Sequence, residues 1–283
     1  MTTFKTPGPI SARIEIPHGN LSIRAGDRDD TVVEVRPTDP SDPADVKAAE
    51  QARVDCTQDR LSVRVAGQGI HWPGAGRRVG SVDLDVELPA GSQVRGRGTA
   101  VTLRAEGRLG ECRFEAAHGD FRFDEAGPLR LSTSRGDIVV GHAVGSVRIG
   151  NGSGGVRIDR IDGSAHIGND HGETRIGEIT GELRLSGMNG DFHVERAHGD
   201  VEAKTAHGRI RLAEIIRGAV VLTASSAEIE IGIREGTAAR LDVSTLTGSV
   251  HNALKAVGGP TTGDEIAEVR VRTYSGDITV HRS

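Results

Sequence analysis

The sequence predicts an all-β chain: a parallel two-sheet β-solenoid of about 18 residues and two strands per coil, with an N-terminal β-rich capping region that contains one short helix. Three observations predict it. Glycine recurs at an uninterrupted step of nine residues from Gly136 to Gly208. Behind these glycines stand apolar residues two positions apart, as in Ile138/Val140, Val147/Ile149, Val156/Ile158 and Leu183/Leu185. The turns that close the units alternate between two kinds. Ala143, Ile161, Ile179, Ala197 and Ile215 carry an apolar residue, whereas Gly150-Asn151-Gly152-Ser153 and Gly168-Asn169-Asp170-His171 do not, so the true period is 18.

Taken in chain order, the first elements are strands with a weak repeat. Ile14/Ile16, Leu21/Ile23, Val33/Val35, Leu61/Val63/Val65 and Val82/Leu84/Val86/Leu88 alternate as half-buried strands do, because successive side chains point to opposite faces. Between them, Asp42 as N-cap, Pro43 at the first helical position and Asp45 in the first turn announce a short helix through about Arg53. Residues 66–80 form a glycine-rich loop that carries the sole tryptophan, Trp72. Residues 1–98 are therefore assigned to a cap, and 99–283 to the repeat array, with an insertion near 252–264.

Within the array each nine-residue unit is one strand followed by a corner, and glycine supplies the left-handed backbone a tight corner needs. Irregular copies extend it upstream through Cys112/Phe114, Phe121/Phe123 and Leu129/Leu131, and downstream through Val220/Leu222, Ile229/Ile231, Leu241/Val243, Val269/Val271 and Ile278/Val280. Self-similarity of this kind means stacked units. Coils about 4.8 Å apart would pair each strand with its equivalents above and below. The apolar corner is expected to point inward and the Gly/Asn/Ser corner to be exposed. One coil buries roughly four aliphatic side chains at about 1.5–3 kcal/mol each, too little alone to offset its ordering entropy, so the array must be long and its ends covered.

Composition narrows the function classes. With aromatic residues at 2%, the core must be aliphatic. A formal charge of −5 gives no basic field for nucleic acid and no acidic tail. The basic residues are nearly all arginine, since Lys5, Lys47, Lys204 and Lys255 are the only lysines. Cys56 and Cys112 are too few for a disulfide framework, and Cys112 stands where the repeat demands an inward apolar residue. The N-terminal stretch lacks the apolar run of a secretory signal, and no run of 18 apolar residues occurs, so a soluble cytoplasmic chain is expected.

The phrases Thr133-Ser134-Arg135-Gly136-Asp137-Ile138-Val139-Val140 and Thr273-Tyr274-Ser275-Gly276-Asp277-Ile278-Thr279-Val280 resemble those of the bacterial toast-rack β-strand repeat family, long catalogued as a domain of unknown function. The entry phrase Val86-Glu87-Leu88-Pro89-Ala90-Gly91 is similar too, and the resemblance covers nearly the whole chain. It implies non-enzymatic roles around envelope stress, adhesin-like surfaces or antimicrobial-peptide response, and offers no catalytic motif to transfer.

Outward strand positions hold the ordered chemistry. One sheet would show Arg122, Val139, Arg157, Arg175, His193 and Arg211, and the other Arg113, Arg130, Arg148, His166, Arg184 and Glu202. Such ladders could grip carboxylates, sulfates or phosphates through bidentate guanidinium forks, or simply pair with acids two positions away. Binding is assigned to Arg148, Arg184, Arg157, Arg175 and Trp72. A catalytic assignment is none; the alternative, a carbohydrate-active β-helix enzyme on an acidic polysaccharide, would use Glu173 and Asp191. Calcium is not expected, because Asp follows Gly directly where calcium-binding rolls read Gly-Gly-x-Gly-x-Asp. Nor is another metal, because His171 and His207 are two coils apart, and no cofactor motif appears. The sequence thus reads as a rigid binding scaffold for a protein, a peptide or an anionic ligand, with no nucleic acid, no membrane span and an open oligomeric state.

Overall fold

The computed structural model describes residues 1–66, 70–72, 76–255 and 265–283, of which 70–72 and 76–78 are described by backbone alone. The chain divides into two compact units, Met1–Val139 and Val140–Ser283. Among the described residues it is all-β, 71% strand, with one helix. No described helix is long and apolar enough to cross a membrane.

The first unit begins with β1 (Thr2–Lys5), β2 (Ser11–Gly26) and β3 (Asp30–Pro37), followed by α1 (Pro43–Glu50). Next come β4 (Arg53–Thr57), β5 (Arg60–Arg64), β6 (Ile70–Trp72), β7 (Gly76–Arg78) and β8 (Val82–Pro89). It continues with β9 (Gln93–Leu109), β10 (Cys112–His118), β11 (Phe121–Ala126) and β12 (Leu129–Arg135), and the division falls within β13 (Ile138–Val144). Its rungs are not stacked in chain order. β2 lies in parallel between β5/β8 on one side and β9 on the other, so β2 is the second rung, later strands make the first, and the chain returns to make the third. β2, in the region read as a cap, is thus itself wound as a coil, bending at Gly19 with φ +139°. The outer rung is closed by antiparallel strands, β4 on β5 and β3 on β8.

Helix α1 forms where the capping residues announce it: Asp42 Oδ1 accepts the Ala44 N–H at 2.8 Å and Pro43 opens the first turn. Buried Asp45 accepts the Ser81 N–H at 2.7 Å, and Gly80 lets the helix approach, since a Cβ there would lie 2.1 Å from the Ala44 carbonyl oxygen. Inside, the rungs interlock by size. Gly96 faces Phe114 in the next rung, where a Cβ would stand 2.2 Å from the ring, and Phe114 meets Phe121 edge to face at 5.2 Å.

The second unit holds β14 (Val147–Ser153), β15 (Val156–Asp162), β16 (Ala165–His171), β17 (Thr174–Ile179), β18 (Leu183–Ser186) and β19 (Phe192–Ala197). It ends with β20 (Val201–Ile215), β21 (Gly218–Ile233), β22 (Ala238–Thr247), β23 (Val250–Asn252), β24 (Ile266–Ser275) and β25 (Ile278–Arg282). The 18-residue winding is direct: Val147 pairs with Ala165, Ala165 with Leu183 and Leu183 with Val201, while Val156 pairs with Thr174 and Thr174 with Phe192. These inward positions are at most 4% exposed. The end is interleaved here as well, because β24/β25 slot between β21 and β22/β23.

The corners correct one expectation. Ile161, Ile179, Ala197 and Ile215 tuck inward as read, but the opposite corner also buries its polar residue, with Asn151 and Asn169 at 3% and 0% exposure. Inside the corner, Asn169 Nδ2 is within 3.1–3.3 Å of the carbonyls of Gly154 and Glu173 and of Thr174 Oγ1, to which its two hydrogens donate, while its Oδ1 meets no donor among the described residues. Thr133, Thr205 and Thr273 are buried at equivalent turns and bond the carbonyl two residues on.

Candidate functional site

The acidic residues of the repeat turn out to fasten rungs together. Asp120, Asp191, Asp200 and Asp277 each present Oδ1 to a main-chain N–H of a neighbouring rung, that of Asp137, Arg209, Ala219 and Ser249, at 2.7–2.9 Å. The bonds to Ser249, from its N–H and its hydroxyl, hold the Asp277 carboxyl below its ordinary value. Glu173 stands beside Asp191 in the adjacent rung, but its Oε1 is taken by Arg175 at 2.6 Å. Both carboxylates of the alternative catalytic pair are therefore engaged.

The arginines assigned to binding are split between two columns of stacked strands. Arg157 stacks on Arg175, and Arg175 on His193. Arg148 stacks on His166, and His166 on Arg184. Their charges are largely met: Arg157 pairs with Asp159 at 3.0 Å, Arg175 with Glu173, and Arg184 with Glu182 at 2.7 Å. Arg148 alone of these four has no ion pair among the described residues. Trp72 lies in β6, whose backbone pairs antiparallel with β7, and its side chain and much of the 66–80 loop lie outside the described residues. Most of the 252–264 insertion does so too.

The first unit assembles a denser face. Because β2, β9, β10 and β12 pair in register, Arg13, Arg95, Arg113 and Arg130 fall into one column, spaced by single rungs of about 4.8 Å. Arg113 and Arg130 were legible as a ladder; Arg13 and Arg95 were not. Their strands lay in the presumed cap, and only the interleaved rung order brings them into line. Arg60 of β5 and Arg97 of β9 flank the column around a cleft of about 510 Å³ floored by Ala12, Ile14 and Gly96, and Arg64 stands further along β5. Around this face stand seven arginines, the column's four with Arg60, Arg64 and Arg97, against Glu15, Glu111 and Glu115, on a chain of net charge −5.

Glu15 is the hub. It is reached by Arg13 at 2.9 Å, Arg97 at 3.1 Å and Arg64 at 3.3 Å. Burial acts to raise its pKa, but the hydrogen bonds from Arg97 and Arg13 and the nearby charges of Arg97 and Arg64 prevail and hold it below the ordinary glutamate value. Arg113 binds Glu115 at 2.6 Å and Arg95 approaches Glu111 at 3.6 Å. Arg60 and Arg130 have no side-chain partner among the described residues. The face therefore keeps donors to spare. Among the described residues no group of three or more His, Cys, Asp or Glu could hold a metal ion.

The model of the Toastrack DUF4097 family matches residues 12–281. No curated protein matches the chain. Among solved structures, a candidate adhesin from Parabacteroides merdae aligns at 12% identity and TM-score 0.42 over 100% of this chain and 95% of its own. Another from Bacteroides fragilis aligns at 12% and 0.39 over 99% and 95%. A candidate lipid-binding protein from Parabacteroides distasonis aligns at 8% and 0.33 over 100% and 95%.

Proposed function

This chain belongs to the Toastrack DUF4097 family, and from that premise we propose that it is a non-enzymatic binding module whose arginine column in the first unit receives an anionic partner, an acidic peptide or protein segment foremost. One observation carries the reading. Four arginines stacked on successive rungs repel one another, and like charges directly opposite each other in a sheet are destabilising. Carboxylates on a partner would relieve that repulsion and meet the unused N–H donors of Arg60 and Arg130. A rigid scaffold adds to this, because little ordering is needed when the partner docks.

The enzyme reading, on Glu173 and Asp191, draws no support from the geometry, since one carboxylate is held by Arg175 and the other by a main-chain N–H. The test is calorimetric titration of the purified chain with poly-L-glutamate. Binding that weakens steeply with salt and drops about tenfold or more, roughly 1.4 kcal/mol, in Arg95→Glu/Arg113→Glu is the expected result. Equal affinity in that variant, with Arg148→Glu/Arg184→Glu weakening binding instead, would move the site to the second unit.

A further inference from the structure

We propose that the last rung of the second unit is a two-fold interface, at which two copies of this chain join edge to edge through β22. The rung is open on one side: among the described residues β22 pairs only with β24, and β23 only with β25. One rung in, Val269 and Val271 are at most 2% exposed, whereas Leu241, Val243 and Thr245 of β22 are only half-buried and Val250 of β23 is 42% exposed. Leu246, 71% exposed, sits beside Tyr274, 66% exposed, on the outer surface.

The edge suits its own copy. Ala238 donates its N–H to Glu265 of the rung within, and a parallel ladder alternates, so Ala239, Leu241 and Val243 turn their N–H and C=O groups to the open side. A symmetric antiparallel pair with its axis at Leu241 places Leu241 against Leu241 of the second copy and Ala239 against its Val243, the pairs that exchange main-chain hydrogen bonds. The intervening pair is then Arg240 against Asp242, twice over. Shifting the axis by one residue sets Arg240 against Arg240 or Asp242 against Asp242, and like charges directly opposite are unfavourable. The segment Arg240-Leu241-Asp242 is therefore complementary to its own reversal, which is what an isologous interface requires. β22 also lacks the lysines and prolines that blunt an exposed edge.

Sedimentation equilibrium of the full chain tests this. The weight-average mass should rise with concentration toward that of a dimer. Arg240→Asp and Asp242→Arg should each remain monomeric at concentrations where the parent associates, and their equimolar mixture should associate again, because the mixed pair restores both opposite-charge contacts. Val243→Pro, which removes an N–H that the fold does not use, should weaken association at least tenfold with an unchanged far-ultraviolet spectrum. A monomer at every concentration, the result if the edge is already covered within the chain, overturns the proposal. So does association that Val243→Pro leaves intact, or a mixture that fails to recover it.

Discussion

Replacing Gly96 by alanine tests the packing that sets the register of the arginine column. Gly96 pairs with Phe114, Arg95 with Arg113 and Arg97 with Glu115, so one register governs both the core and the face. An added Cβ would stand 2.2 Å and 2.3 Å from two atoms of the Phe114 ring, which Phe121 flanks at 5.2 Å, leaving the ring little room to retreat. Overpacking of this kind costs about 1–3 kcal/mol. Phe114→Leu alone should cost about 1–2 kcal/mol through lost contacts and residual space. In the double variant the smaller side chain makes room for the methyl group, so the sum should fall short of additivity by about 1 kcal/mol. Urea denaturation of the four proteins measures the cycle. Strict additivity would mean that Gly96 and Phe114 are not neighbours, and the column would lose its structural basis.

Asp191→Ala should lower stability by about 1 kcal/mol, since the Arg209 N–H loses a charged acceptor, while Glu173→Ala should change it by less than about 0.5 kcal/mol because its ion pair is exposed. Equal effects in thermal melts would contradict the different roles given to the two acids. Glu15 has a depressed folded pKa, so its contribution is present above the unfolded value near 4.5 and is lost as pH falls through the lower folded value. Glu15→Gln should therefore be less stable than the parent at neutral pH and should converge with it in acid; a gap that persists at low pH would show that the loss is not electrostatic. Burial pushes the Cys112 thiol up to about 12, so iodoacetamide should modify Cys56 in the folded protein and Cys112 only after unfolding. Prompt double labelling would be inconsistent with an inward Cys112.

The coil itself was legible because spacing alone encodes it: apolar pairs at a step of nine can bury only if each unit is a strand with a corner, and the alternation of corners doubles the period. Helix α1 was legible from Asp42 and Pro43, whose backbone preferences are local. What stayed hidden were relations between distant segments. Nothing in Ser11–Gly26 shows that the rung completed by residues 60–89 will lie on its far side, so Arg13 and Arg95 could not be joined to Arg113 and Arg130. The same holds for β24, which enters between β21 and β22 although it follows both. The Gly-Asp phrase was visible, yet the role of Asp191 as an acceptor for a neighbouring rung depends on register, which appears only once the coils are stacked. Asn169 looked like an exposed turn residue because asparagine is polar; the acceptors its amide N–H groups meet inside the corner come from residues 154, 173 and 174, which only the stacked coils bring together.

The stacking that aligns the arginines can be measured by cross-linking in a Cys56→Ser background. Adjacent rungs bring equivalent Cα atoms to about 4.8 Å, within disulfide range, while positions two rungs apart lie at about 9.6 Å, beyond it. Under mild oxidation, non-reducing mass spectrometry should therefore find an intramolecular disulfide in Arg95→Cys/Arg113→Cys and none in Arg95→Cys/Arg130→Cys. A bond in the second variant but not in the first would mean that these strands are not consecutive rungs.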